Sequence, residues 1–438
     1  MGEVEAGVDM AESSVSGRST LTDVTDHSSA FWHGFSDMHA VESGGRFVVA
    51  RGEGARIWDT DGREYLDGTA GLWFTNVGHG RTEIADAVAR QLSTLAHYST
   101  FGDVTPDVTL ELADRLAEIA PVPGSKIFFT SGGSDSIDTA AKLARRYWHQ
   151  MGRPGKSVVV GRQKAYHGMH VAGTALSGLP LNRENYGELM TDARTVAWDD
   201  AKELLALIEK EGADTIAAFF AEPIIGAGGV YLPPAGYLHE VRQICRDHDI
   251  LFVADEVVTG FGRIGDAWFA SSKFELEPDL VTTAKGLTSG YVPMGAVFVA
   301  PWIAAPFYEG GSWWRHGYTY GGHAGAAAAA LANLDIIVRE DLLSHASRLE
   351  ASLHRHLAPL AEHDLVGDVR SGMGAVAAVQ FADPTYAMPF VKTLRREGVS
   401  ARAAGNGAIQ FSPAFVMTDE QVEQMAAATA RALDATVG

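Results

Sequence analysis

Five short, largely apolar runs, each about the length of a strand and each leading to residues that can do chemistry, constrain the fold more than any other feature of the chain. Ile250–Ala254 (ILFVA) is the clearest. A continuous apolar run of this length reads as a parallel strand buried on both faces, and it delivers Asp255 and Glu256 at its carboxyl end. Leu280–Thr283 is β-branched and uncharged, and Lys285 follows it. The runs at 126–129, 157–161 and 215–221 lead in the same way to a Gly-Gly-Ser turn, to Tyr166-His167 and to Glu222. Helix-length stretches separate most of them. Strands alternating with helices at this spacing predict a mostly parallel sheet with right-handed crossovers. Open sheets of that kind take their ligands outside the carboxyl ends of the strands.

Lys285 is the residue to explain. A lysine is almost never fully buried unless it is paired or chemically used. Apolar surroundings lower its pKa, because desolvation disfavours the ammonium, and the neutral amine can attack a carbonyl. A strand-end lysine can also simply snorkel to solvent, so the argument depends on a partner. Asp255, at the end of a neighbouring predicted strand, supplies one: a carboxylate there can hold a proton on a pyridine nitrogen and so make pyridoxal phosphate an electron sink.

VADEVVTGFGR followed by TTAKGLTSGYVPMGAV resembles the class III aminotransferases, pyridoxal phosphate enzymes of fold type I. Further motifs extend the likeness over about residues 30–430. It implies an α/β architecture with a mostly parallel central sheet flanked by helices, and a smaller α+β domain formed by the N- and C-terminal segments. Lys285 matches the family's Schiff-base lysine, Asp255 the partner of the ring nitrogen, and Val257 the residue packed on one face of the ring. Gly132, Gly133 and Ser134 match the phosphate cup. A Gly-Gly-Ser turn opening a helix exposes N–H groups that favour an anion whatever the family, although Ser134 and Asp135 are also good cap residues. Ser131, Gly132 and Asp135 stand where the family usually has Asn, Ser and Glu. Tyr166 matches the aromatic that stacks on the cofactor, with His167 beside it, and Glu222 supports the cofactor side of the pocket.

HGYTYGGH resembles the motif whose threonine reaches the phosphate of the partner subunit's cofactor. Tyr318 and Thr319 hold those positions, and Ala324 replaces the proline that usually follows. Trp73 and Phe101 match pocket aromatics. Arg402 falls where many of these enzymes keep an arginine for the substrate carboxylate, a task that suits its bidentate fork; Arg315 is an alternative contact. The resemblance implies an aminotransferase of the ω-amino acid and amine:pyruvate branch, working by a ping-pong mechanism as a homodimer with shared active sites. Another reaction on the same cofactor (aminomutase, epimerase or decarboxylase), or a carbonyl carried on a peptide or carrier, is the alternative. The expected divisions are a flexible tail over 1–30, an N-terminal part of the small domain over 31–80, the large cofactor-binding domain over 81–333, and the C-terminal small domain over 334–438.

Composition narrows the partners. A formal net charge of −20 argues against a general nucleic-acid surface or a polybasic membrane anchor. The alanine-rich run 324–332 is too short to span a bilayer. A single cysteine, Cys245, leaves no disulfide framework, so a reducing cytoplasm is the expected setting. No metal is expected: neither His33 with His39 nor His167 with His170 has carboxylates in register beside it.

Overall fold

The computed structural model describes residues 29–437, so all but the last two residues of the expected tail lie outside it. Val49–Glu53 (β1), Arg56–Asp59 (β2) and Glu64–Asp67 (β3) form an antiparallel meander. Its return is made at Gly62, whose φ of 80° suits a residue without Cβ.

Lys126–Thr130 (β4), Val158–Arg162 (β5), Ala193–Val196 (β6), Ile216–Ala221 (β7), Leu251–Asp255 (β8), Leu280–Thr283 (β9) and Gly295–Val299 (β10) make one sheet, in the order β4-β10-β9-β8-β7-β5-β6. β5 to β9 pair in parallel, whereas β10 runs antiparallel to both β9 and β4. A parallel return needs a crossover of about a dozen residues or more. Only the short segment from Ala284 to Met294 joins β9 to β10, so the chain turns straight back.

The apolar runs read as continuous because both faces are covered. Phe219, Ala221, Phe252 and Ala254 enter one core, under the helices Lys202–Glu211, Tyr237–Asp247 and Ala324–Arg339. Their neighbours Ala218, Phe220, Leu251 and Val253 enter the other, under the helix Gly133–Gln150. Each fully buried phenylalanine contributes about 1.5–3 kcal/mol by leaving water. Cys245 is buried in the first core, and burial pushes its thiol up.

Val366–Arg370 (β11), Ala377–Phe381 (β12), Val399–Ser400 (β13), Arg402–Ala403 (β14) and Ala408–Phe411 (β15) complete the strands. β13 pairs in parallel with β3, Val399 opposite Leu66, which folds the two ends of the chain together. β11, β12, β15 and β14 form a separate antiparallel sheet. The last helix, Asp419–Val437, opens on a capping box: Thr418 N–H donates to Gln421 Oε1 at 3.0 Å, and Gln421 N–H donates to Thr418 Oγ1 at 3.3 Å. Among the described residues no helix is long and apolar enough to cross a membrane.

Candidate active site

Five segments converge at one end of the central sheet. β8 ends in Asp255, β7 leads into Glu222, β9 into Lys285, β5 into Tyr166-His167, and β4 into the helix that starts at Gly133. A cavity of about 160 Å³ lies there, lined among others by Gly133, Ser134, Tyr166, Asp255, Val257 and Lys285, with His167 and Glu222 also on its wall.

Lys285 has a φ of 41°, in a region that costs a non-glycine residue on the order of 1–3 kcal/mol. The turn is held from outside. Asn333, fully buried, donates from Nδ2 to Gly286 O at 2.9 Å and to Leu287 O at 3.0 Å. Lys285 Nζ makes no hydrogen bond among the described residues. Burial lowers its pKa to about 8, against the pull of the Asp255 and Glu222 carboxylates, which favour the charged form. The amine therefore becomes nucleophilic as pH rises through about 8 rather than through the ordinary 10.5. Covalent capture of pyridoxal phosphate by the cofactor-free protein, followed by borohydride trapping at a series of pH values, should rise with that midpoint. A midpoint near the ordinary value would mean that the amine is not desolvated.

Asp255 is buried and fully engaged. Its Oδ2 accepts from His167 Nδ1 at 2.7 Å, and its Oδ1 accepts from Val257 N at 3.1 Å and Thr282 Oγ1 at 3.2 Å. Three protein groups thus fix the orientation of the carboxylate. Thr282 stands opposite Asp255 in the β8–β9 register. Glu222 is also buried; its two oxygens accept from Tyr166 N at 2.8 Å and Gly226 N at 2.9 Å. Burial raises its pKa, and the nearby Asp255 charge adds to the rise.

Beside the carboxylates lies a cradle. The N–H groups of Gly133, Ser134 and Asp135 have no acceptor among the described residues, and they point out of the positive end of an 18-residue helix. A Cβ on Gly133 would lie 2.9 Å from Val257 Cγ1, so only glycine lets the helix start so close to that wall. The donor set fits a phosphate at the helix start and a protonated ring nitrogen at Asp255, with the Tyr166 and Val257 side chains on the cavity wall between. Gly132 caps the helix; its carbonyl accepts from Ser136 N at 3.0 Å, and it does not line the cavity.

Other expected residues lie elsewhere in the single chain. Trp73 is buried in an apolar cluster with Val258 and Ala404, at a φ of 66°, and does not line the cavity. Phe101 and Thr319 are exposed, on a surface where His97 Nε2 lies 3.0 Å from Thr319 O and Thr100 Oγ1 donates to Gly321 O at 3.1 Å. Tyr318 packs on its own chain, its hydroxyl 3.2 Å from Thr139 Oγ1 and from Asp135 O. Arg402 is partly buried on β14. Its charge is felt by Tyr166 and Lys285, and burial lowers its own pKa. His167 and His170 do meet carboxylates, but separate ones: His170 Nε2 lies 2.7 Å from Asp135 Oδ1. No metal-binding cluster occurs among the described residues.

The class-III aminotransferase profile matches residues 39–433. The chain belongs to the class III aminotransferases. It is 38% identical to the putrescine–pyruvate aminotransferase of Pseudomonas aeruginosa over 92% of this chain and 93% of that one. It is 37% identical to the β-alanine–pyruvate aminotransferase of the same organism, over 92% and 95%. An (S)-enantioselective omega-transaminase from Thermomicrobium roseum superposes with a TM-score of 0.90 at 36% identity, over 95% of this chain and 98% of that one. An amine transaminase from an uncultivated Pseudomonas species, solved with pyridoxal phosphate bound, gives 0.88 at 36% identity, over 93% and 99%. The class III aminotransferase described here is thus a pyridoxal phosphate enzyme, with the cradle and carboxylate above at the expected end of its sheet.

Sequence reasoning missed two of its supporting residues. Asn333 had a signal, a lone amide in an alanine-rich helix. Thr282 had none, because only the register between two strands brings it to Asp255.

Proposed function

We propose that the enzyme moves an amino group from an amine or ω-amino acid to a keto acid, pyruvate, in two half-reactions at the Lys285 cavity. Pyridoxal phosphate supplies the electron sink when bound. In this reading the N–H groups of Gly133 and Ser134 hold its phosphate, and Tyr166 and Val257 flank its ring. Asp255, oriented by hydrogen bonds to His167 and Thr282, would hold the proton on the ring nitrogen. The lowered pKa of Lys285 suits an amine that gives and takes a proton near neutral pH.

The observation that carries the choice of acceptor is Arg402, a cation with no hydrogen bond or ion pair among the described residues, whose charge reaches Tyr166 and Lys285. A guanidinium without a carboxylate of its own is suited to one brought by a substrate. Two relatives named for pyruvate, from putrescine and from β-alanine, support the same reading.

Shared sites in a homodimer belong to this proposal. Tyr98, Phe101, Trp313 and Tyr320 are all exposed, and the segments that carry them, around residues 97–109 and 313–322, touch each other. Exposed apolar patches of this kind mark contact surfaces. With Thr319 in the same patch, a second copy would carry Phe101 and Thr319 to its partner's cavity. The proposed setting is the cytoplasm.

Two measurements test the proposal. Amine donor alone should convert the cofactor spectrum stoichiometrically to that of the aminated form, and pyruvate alone should reverse it. A spectrum that returns unchanged after turnover would favour an aminomutase, epimerase or decarboxylase. Arg402→Ala should raise the KM for pyruvate about ten- to a hundredfold, the worth of a charge-assisted pair, and leave that for a simple arylalkyl amine within a few fold. Equal losses for both would make the arginine structural.

A further inference from the structure

Two polar side chains with unmet hydrogen-bonding capacity among the described residues stand at opposite positions in the β14–β15 ribbon. Gln410 has no exposed surface, and its amide has one orientation: Nε2 donates to Gly226 O at 2.9 Å and to Ala227 O at 3.2 Å. Turned round, its oxygen would face two carbonyl oxygens. Oε1 therefore points away from that loop, buried and without a donor among the described residues. Arg402 lies directly opposite Gln410 in the antiparallel register. The two side chains leave the same face of the ribbon, with Cβ atoms about 4.5–5.5 Å apart. Among the described residues the guanidinium of Arg402 is a set of donors without an acceptor, and Gln410 Oε1 is an acceptor without a donor.

The ribbon itself is pinned. At its turn Asn406 Nδ2 donates to Tyr231 Oη at 2.8 Å, and Gln380 Nε2 donates to Asn406 O at 2.7 Å. Ala227, one of the carbonyls that holds Gln410, lines the Lys285 cavity. The ribbon can thus stay in place while the long side chain of Arg402 moves.

We infer that Gln410 Oε1 is the resting acceptor for Arg402: the arginine folds back onto it when the pocket holds an uncharged substituent and leaves it when a carboxylate arrives. Gln410 is then a positioning residue that sets the balance between the two half-reactions. This rests on Arg402 as the carboxylate receptor proposed above. Without the resting acceptor, the cation stays in the pocket unpaired and opposes an apolar group. With a charged acceptor in its place, the arginine is held back from the carboxylate.

Gln410→Met keeps the length of the side chain and removes the amide oxygen, and Gln410→Glu makes the acceptor anionic. The KM values for α-phenylethylamine and pyruvate are measured separately for each variant, alone and with Arg402→Ala. Calorimetric dissociation constants of benzoate and benzyl alcohol on the cofactor-loaded enzyme report binding without turnover. Gln410→Met should weaken the amine and the alcohol about tenfold and leave pyruvate and benzoate within about twofold. With Arg402→Ala already present it should add nothing, since the two residues act as a pair. Gln410→Glu should do the opposite, weakening pyruvate and benzoate. Should that variant not fold, the cycle of Gln410→Met with Arg402→Ala decides the matter alone. Equal losses for charged and uncharged ligands that persist beside Arg402→Ala would make Gln410 a clamp on the Gly226-Ala227 loop and overturn the inference. If Arg402→Ala by itself leaves pyruvate unaffected, the carboxylate receptor is wrong, and the resting site falls with it.

Discussion

Lys285→Ala is expected to lower turnover by at least about 10⁴-fold, the upper end of what a positioned proton-transfer group contributes, while cofactor still binds without a covalent bond. A low pKa alone does not single this lysine out. Lys156 is also lowered to about 8, but its Nζ donates to Ala213 O at 2.7 Å and it does not line the cavity. Lys164 lies over the rings of Tyr231 and Trp198 at 4.0 and 4.5 Å, and Lys273 donates to Ile264 O at 2.9 Å. Lys285 alone combines a lowered pKa, no hydrogen-bond partner among the described residues and a place on the cavity wall. Borohydride reduction of the loaded enzyme with peptide mapping should put the label on Lys285. Label on Lys156, Lys164 or Lys273 would refute the assignment, as would substantial turnover by the alanine variant.

Asp255→Asn should keep the fold and lower kcat about 10²–10³-fold. Breaking a buried ion pair by removing one partner costs about 3–5 kcal/mol, and a neutral amide cannot balance a protonated ring nitrogen. The fold should survive because the asparagine oxygen can still accept from Val257 N and Thr282 Oγ1, the bonds now made to Oδ1. His167, whose Nδ1 lies 2.7 Å from Oδ2, would lose a charged acceptor. The check is kcat together with thermal unfolding. A variant that unfolds at the parent's temperature and turns over within a few fold of the parent would remove the charge-holding role from Asp255.

Much of this is legible in the sequence alone, for reasons that differ from residue to residue. A parallel strand covered on both faces favours apolar residues along its length, so the runs 216–221 and 250–254 stand out in the sequence. The carboxyl ends of such strands are where an open sheet binds ligands, so the residues that break the runs, Glu222, Asp255 and Lys285, were candidates at once. Gly133 was legible as part of a Gly-Gly-Ser turn opening a helix, whereas the lack of room for a Cβ beside Val257 was decided by the packing.

The tertiary structure decided what no local pattern encodes. His167 meets Asp255 across 88 residues of sequence, and Asn333 reaches the turn after Lys285 from a helix beyond β10, because packing rather than spacing brings them together. β11 lacks the continuous apolar signal, its middle being exposed at Gly367 and Asp368. Trp73 looked like a pocket residue and proved to be buried beside one, while Phe101 and Thr319 proved to lie on an exposed surface. Sequence periodicity reports whether a side chain is turned inwards or outwards. Which inward-facing groups share a cavity, and which buried donors and acceptors are left to find each other, as with Arg402 and Gln410, depends on strand register and on the packing of distant segments.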